Sequence, residues 1–409
     1  MKRYGNLYEK ICTKENLIKA HQMARKDKGL YTAVKDVDEN LEERINQIQN
    51  MLTNKTYKVG NYNIGIIEDK GKKRILHKLP YFPDRIIQWA ILLQVEEIFL
   101  STFTNFTCAS LKYRGIHYAS NLVINWMNND YEGTKHCLKI DMKKFYPSAN
   151  RVIMKQLLRK KFKDPDLLWL LDKIIDSMDN NDIQKLNMPQ DFKDLYSRPD
   201  KGIPIGSYLS QFLGNFYLTY FDHWLKEDKK CKYVVRYMDD VVILDNSKER
   251  LHELIRDIQK YLEENLDLEV KGNWQIFPTG VRGVDFVGYR HFYGYKLLRK
   301  STYKRCKKKM QQIQYFSDNH IEMEYSDWCS YMSYLGWLTW CNSYNFFMKH
   351  CKDNMPVINQ YYKDKVKSKK KGKNHNVVSM SLYLKNCKKH QVYYKKKEWH
   401  RNSIHRKGE

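Results

Sequence analysis

Two adjacent carboxylates, Asp239 and Asp240, sit in the stretch VVRYMDDVVIL (residues 234–244), between two runs of β-branched and aromatic residues. The runs Tyr233–Tyr237 and Val241–Leu244 read as antiparallel strands, with Met238, Asp239 and Asp240 at their junction. A turn can send neighbouring side chains into one cavity, which a regular strand with alternating faces cannot. Clustered carboxylates repel each other, and a divalent cation reverses that balance. Mg²⁺ takes oxygen ligands, commonly one or two carboxylates plus substrate phosphates. A third acid, Asp141, ends the strand pattern Leu138–Asp141 in HCLKIDMKKFYPS. Asp141, Asp239 and Asp240 are therefore the candidate catalytic groups and ligands for two Mg²⁺ ions, with Mn²⁺ as a substitute. Such a site suits an in-line displacement in which a 3′-hydroxyl attacks and pyrophosphate leaves. The plainer alternative is a tight turn, where Asp is common. Apolar strands on both sides and a strand-end acid upstream favour the metal.

The surrounding chain has 409 residues, enough for two to four units with cores of their own. Its 73 Lys and Arg against 47 Asp and Glu give a formal charge of +26, and the pI is about 9.4. An excess of that size points to a polyanionic partner. No stretch approaches the roughly 18 apolar residues of a membrane span. The start, MKRYGNLYEK, lacks the apolar core of a signal peptide. Nine Cys without a C-x-x-C pair suit free thiols in a reducing compartment. These features together give the expectation of a soluble cytoplasmic protein that binds nucleic acid and no membrane.

The elements that must position the acids can be read from periodicity. Residues 1–60 form a helical N-terminal extension, in which Leu41, Ile45, Ile48 and Leu52 recur at helical spacing and Asp38 stands as an N-cap. KGKKRILHKLP reads as a basic hairpin leading into an amphipathic helix from Asp84 to about Leu100. Helices are expected at 150–162, 165–178 and 247–265, and a polar loop at 179–200. A long helix with Leu213, Tyr217, Tyr220 and Trp224 on its apolar face follows the turn KGIPIG. Short strands are expected around VKGNW and VDFVGYR.

YMDD at 237–240 resembles the signature of reverse transcriptases, and further blocks follow in that family's order. IDMKKFYPS resembles the first catalytic block, GIPIGSYLSQ the next, and FVGYR (286–290) the primer-grip hairpin. KKRILHKLPYFPDRIIQ and SLKYRGIHYA resemble the finger blocks upstream. The resemblance implies an α+β right-hand polymerase with an antiparallel palm sheet, fingers and a helical thumb. Its parts would be fingers at 61–130, palm at 131–298, thumb at 299–362 and a basic C-terminal tail at 363–409. It implies an RNA-directed DNA polymerase that uses an RNA template, a DNA or RNA primer, and dNTPs.

Carried over position by position, Asp141 and Asp239 would hold both metal ions, with Asp240 supporting them. Tyr146 falls where the family keeps a bulky ring against the sugar 2′-position, which would exclude ribonucleotides. Lys70 and Arg74 lie on the finger hairpin where cations meet the triphosphate; Arg114 and Lys271 are further nucleotide contacts. Ile205, Gly206 and Gln211 line the nucleotide in the IPIGSYLSQ block, where Gly206 lets backbone approach the substrate. Phe286, Gly288 and Tyr289 form the primer grip. Many reverse transcriptases carry Q-G-x-x-x-S-P at this block, whereas this chain has Ile205-Gly206-x-x-x-Ser210-Gln211. That form resembles the diversity-generating retroelement branch, and with it an error-prone enzyme assisted by a small helical accessory protein. The alternatives are a defence-associated enzyme with a dedicated structured non-coding RNA, a non-catalytic maturase-like RNA-binding protein, or an RNA-dependent RNA polymerase.

YSDWCSYMSYLGWLTWCNSYNFF (325–347) places Trp328, Tyr331, Leu335 and Leu338 on one stripe, expected to be thumb core, with basic residues such as Lys304 to Lys309 toward phosphate. The tail carries sixteen Lys and Arg against three acids and reads as an RNA-binding arm. Within it Cys387, His390, His400 and His405 could hold zinc, though their spacing matches no established pattern.

Overall fold

The computed structural model describes residues 2–69, 72–177, 190–194, 198–204, 206–366 and 379–390. β1 (Asn63–Asp69) and β2 (Lys72–Lys78) form an antiparallel hairpin, with Ile66 opposite Ile75. β3 (Thr107–Cys108), β4 (His136–Asp141), β5 (Tyr233–Tyr237), β6 (Asp240–Asp245) and β7 (Gln275–Pro278) make one sheet in the order β3-β5-β6-β4-β7. β5 and β6 are neighbours joined by two residues, and so short a link can only join antiparallel strands. β8 (Val284–Phe286), β9 (Tyr289–Phe292) and β10 (Tyr295–Leu298) form an antiparallel sheet in the order β10-β9-β8.

The chain divides into two compact units. One comprises Met1–Lys112, Lys139–Val241 and His252–Trp274. Its core gathers around Phe99 on the helix Ile86–Leu100, whose ring lies 5.0–6.3 Å from those of Phe103, Phe162, Phe212 and Phe216. That helix is buried on most of its circumference rather than along one stripe, so the expected amphipathic helix is instead a core helix. Asp164 caps Pro165–Ile175 by accepting from Leu167 N at 3.1 Å, and it also accepts from Leu7 N at 2.7 Å and Tyr8 N at 2.9 Å. One carboxylate thus satisfies orphan donors at two helix starts. Asp38 is no cap: it lies inside the helix Thr32–Glu39 and pairs with His21 at 2.8 Å and Arg25 at 2.7 Å. The long helix expected after KGIPIG is broken at Leu218 into Tyr208–Tyr217 and Thr219–Glu227. Ser207 caps the first of these by accepting from Ser210 N at 3.0 Å.

The second unit comprises Tyr113–Leu138, Val242–Leu251 and Gln275–Glu409. Its helical core contains Cys306, Met310 and Ile313 of Lys300–Asp318 together with Trp328, Tyr331, Leu335 and Leu338 of Tyr325–Leu338. The aromatic stripe is core, as its spacing indicates. The helix Met380–Lys389 belongs to the same core: Tyr383 stacks on Phe347 at 3.8 Å and shares a 2.7 Å hydrogen bond with Ser343. Residues 379–390 are therefore not a free arm, because apolar side chains at helical spacing give this basic segment a face to bury. No helix among the described residues is long and apolar enough to cross a membrane.

Candidate active site

β4 ends at Asp141, and the chain then turns sharply. Lys144 takes a left-handed conformation (φ 47°), after which a single turn of helix, Phe145–Ser148, presents Tyr146. Across the sheet, Met238 (φ 55°) and Asp239 link β5 to β6, and Asp240 is already the first residue of β6. The two acid-bearing segments meet through the backbone, Met142 N donating to Asp239 O at 3.2 Å. Burial, then the Asp141 charge, pushes the Asp239 carboxyl well above the usual carboxylate range.

Segment 269–271 lies along the other side of this turn. Lys271 N donates to Asp141 O at 2.8 Å, and its ammonium stands 2.6 Å from Asp141 Oδ2. Lys143 makes the companion contacts to Glu269, by backbone and by side chain, each at 2.8 Å. Lys271 thus supplies one positive charge to a pair of acids that repel each other. Asp141 Oδ1 remains buried with no hydrogen-bond partner among the described residues, which suits a ligand to a cation. Asp240 stands with its carboxylate 3.8 Å from the ammonium of Lys139, which shares a face of β4 with Asp141. Among the described residues no group of three or more His, Cys, Asp and Glu is assembled to hold a metal. What is assembled is the pair Asp141 and Asp239, the one or two carboxylates that Mg²⁺ takes when phosphates complete its shell.

Tyr146 stands beside this pair, its hydroxyl donating to Met238 Sδ at 3.9 Å. Burial, with the Asp239 charge next, raises its phenol far above the ordinary tyrosine value, so it is neutral in function. Gly206 (φ 137°) meets β2: a Cβ there would lie 2.3 Å from the His77 carbonyl oxygen. The backbone that needs this glycine is therefore the finger hairpin, where the sequence suggested the substrate. Gln211 is half-buried on Tyr208–Tyr217, and Arg74 sits on β2 opposite Ile67. Lys70 and Ile205 lie outside the described residues.

Arg114 and the primer-grip residues belong to the second unit. Phe286 and Tyr289 are fully buried there, so their rings cannot touch a primer. The hairpin tip is Val287 (φ 41°) and Gly288 (φ 86°), and a Cβ at Gly288 would lie 2.5 Å from Trp337 Cζ3. Tyr289 stacks on the same Trp337 at 5.2 Å. The zinc candidates do not assemble among the described residues: Cys387 is buried in the apolar core, its thiol raised by burial, while His390 stacks on Trp340 at 3.5 Å. His400 and His405 lie outside the described residues.

Two functional residues escape the motif reading. Arg236, on β5 just before the turn that carries Asp239, is fully buried against the equally buried Asp222. Thr107 donates to Asp222 Oδ2 at 2.6 Å, and Arg236 Nη1 donates to Met238 O at 3.0 Å. The signal was an arginine inside an otherwise apolar strand, which a buried position allows only with a carboxylate partner.

The family model described as reverse transcriptase (RNA-dependent DNA polymerase) matches residues 58–291, which contain both blocks of acids. The chain belongs to the reverse transcriptase family. Its fold class is accordingly that of a right-hand polymerase, α+β with antiparallel-rich sheets in which only the short β3 is shown pairing in parallel, with β5. Among curated proteins, this reverse transcriptase family member is similar to Protein YkfC of Escherichia coli (strain K12), 22% identical over 55% of this chain. The chain spans 65% of that relative's length. Among solved structures it is similar to apo telomerase from Candida tropicalis truncated from its C-terminal domain. That match has 12% identity, covers 58% of this chain and 53% of the other, and has a TM-score of 0.38.

Proposed function

We propose that this chain is an RNA-directed DNA polymerase, extending a DNA or RNA primer with dNTPs on an RNA template. The observation that carries this reading is the backbone hydrogen bond from Met142 N to Asp239 O, which brings the Asp141 strand end to the Asp239 turn inside the family-matched segment. RNA binding alone gives no reason to bring two mutually repelling acids together at a strand end and the neighbouring turn. Divalent cations, Mg²⁺ or Mn²⁺, held by Asp141 and Asp239 would supply charge stabilisation for the attacking 3′-oxygen and the leaving pyrophosphate.

The chain's own groups do the rest. Asp239, kept close to Asp141 by the Met142–Asp239 backbone bond, holds its carboxyl in fixed geometry. Asp240, its carboxylate 3.8 Å from the Lys139 ammonium, supports the two metal ligands. Lys271 brings a positive charge to the triphosphate side of Asp141, and by the family resemblance Lys70, Arg74 and Arg114 would be further nucleotide contacts. Tyr146 packs against the sugar and excludes a 2′-hydroxyl. The basic helix Lys300–Asp318 of the thumb, with Lys304, Arg305 and Lys308 exposed, faces phosphate. Residues 61–130 then act as fingers, 131–298 as palm and 299–362 as thumb.

Within this activity the sequence favours error-prone copying in a diversity-generating retroelement, with a structured RNA and a small helical accessory protein as partners. Ile205 supports it: an aliphatic side chain replaces an amide able to hydrogen-bond beside the nucleotide. Primer extension on an RNA template, followed by sequencing of the cDNA, tests both levels. Metal-dependent dNTP incorporation lost in Asp239→Ala establishes the polymerase, and an ordinary error rate would remove the diversifying role.

A further inference from the structure

Gly214 lies inside the helix Tyr208–Tyr217 and is fully buried. Alanine is the better helix former, so a glycine in a helix interior needs a packing reason. Tyr146 supplies one. A Cβ built on Gly214 would stand 3.2 Å from the Tyr146 hydroxyl oxygen, 3.4 Å from its Cζ and 3.4 Å from Phe145 Cε1. These distances leave no room for a methyl group unless the ring moves by a few tenths of an ångström. The ring has few other ways to hold its place. Its own helix, Phe145–Ser148, is a single turn entered through the left-handed Lys144, so neighbours rather than helix length fix it. Those neighbours are Phe145, edge-on at 5.3 Å, the Gly214 backbone, and the Met238 sulfur at 3.9 Å from the hydroxyl. Methionine is soft and adaptable, so it yields where the helix backbone does not.

We propose that Gly214 is a positioning residue for the sugar site: by offering no side chain, it sets the depth at which Tyr146 stands between the helix and the Met238–Asp239 turn, and so sets how closely a 2′-deoxyribose is fitted. This rests on the reading of Tyr146 as the group that faces the nucleotide sugar. A methyl at 214 presses the ring off the helix toward the Met238–Asp239 turn. The sugar space narrows, and a dNTP that fitted is now crowded. Ribonucleotides are already excluded, so they lose little more, and discrimination falls because the correct substrate is penalised.

The test is steady-state primer extension with dNTP and with NTP, using the full chain and the variants Gly214→Ala, Tyr146→Phe and both together. Overpacking of this size is expected to raise the dNTP KM of Gly214→Ala by about tenfold, with kcat changed far less. Tyr146→Phe deletes the atom at 3.2 Å, so the double variant should recover a dNTP KM near that of Tyr146→Phe alone. An unchanged dNTP KM in Gly214→Ala, or a raised KM that Tyr146→Phe does not rescue, overturns the proposal. If Gly214→Ala does not fold, the double variant decides: recovery of folding and KM supports the seat, and continued misfolding overturns it. Failure of the underlying reading looks different, because wild type would then extend with neither nucleotide, or would prefer NTP.

Discussion

Arg236 and Asp222 face each other as a doubly hydrogen-bonded ion pair with no solvent exposure on either side chain, Nε to Oδ1 and Nη2 to Oδ2 each at 2.6 Å. The remaining guanidinium nitrogen donates to the Met238 carbonyl, so the pair holds the turn that carries Asp239. Removing one partner leaves an uncompensated buried charge, at a cost of about 3–5 kcal/mol, whereas apolar replacement of both is often neutral. Asp222→Ala should therefore lower urea stability by that amount. The double variant Asp222→Leu/Arg236→Met should recover most of the stability yet extend primers slowly, because Met238 has lost its donor. Equal recovery of stability and rate would show that the pair does not position the turn.

Asp239 makes stability depend on pH in a definite direction. Burial and the Asp141 charge push its carboxyl up to about 6. A group raised in the folded state stabilises the fold fully below its unfolded value, about 3.9 for Asp, and that stability is lost as pH rises through the folded value. Metal-free protein should thus lose on the order of 1–3 kcal/mol at this site between about pH 4 and 7. Asp239→Asn should remove that part of the pH dependence and melt higher than wild type at about pH 7.5, above the folded value. Added Mg²⁺ should narrow the gap by stabilising only the wild type. Parallel pH profiles for the two proteins would contradict the raised carboxyl.

The C-terminal segment divides into two roles. Tyr383 is 4% exposed and packs on Phe347, so Tyr383→Ala should cost about 3–5 kcal/mol and speed proteolysis of that helical core. Deleting residues 391–409 removes basic charge without touching that helix. Such a deletion should lower RNA affinity and flatten its salt dependence by about one log–log unit for each phosphate that the segment neutralises. An unchanged slope would make that segment a bystander.

The acids and their strands were legible because adjacent carboxylates inside apolar strands are chemically costly and so stand out. The hairpin and the aromatic stripe followed from spacing, and the Tyr146 block from the family resemblance. Less visible were features set by tertiary packing. Asp240 shares the motif with Asp239 and begins β6, and its place 3.8 Å from Lys139 depends on β6 lying beside β4. Lys271 was expected as a nucleotide contact, yet its salt bridge to Asp141 depends on segment 269–271 lying along β4, a long-range pairing that local periodicity does not encode. The burial of Phe286 and Tyr289, and the packing of Gly206 on His77, likewise come from neighbours distant in sequence. The helix Met380–Lys389 was hidden by composition, its few apolar residues set among lysines.

Accuracy is expected to depend on Ile205. An amide at this position could add a hydrogen bond of about 0.5–1.5 kcal/mol to hold the correct geometry, which an aliphatic chain does not. Ile205→Gln should therefore lower misincorporation by up to about tenfold, chiefly opposite template adenines. Sequenced cDNA from both proteins measures it, and equal error spectra would remove Ile205 from the account.

The central claim is that Asp141 and Asp239 act together as the metal-dependent centre of an RNA-templated DNA polymerase. Its most direct measurement is extension of a labelled primer on an RNA template with dNTPs, for wild type, Asp141→Ala and Asp239→Ala, with and without Mg²⁺. The predicted result is full-length cDNA only from wild type and only with Mg²⁺, with both variants reduced by roughly 10³-fold or more, about 4 kcal/mol of transition-state stabilisation. Metal-independent extension, or extension by either variant at a rate near wild type, would contradict it.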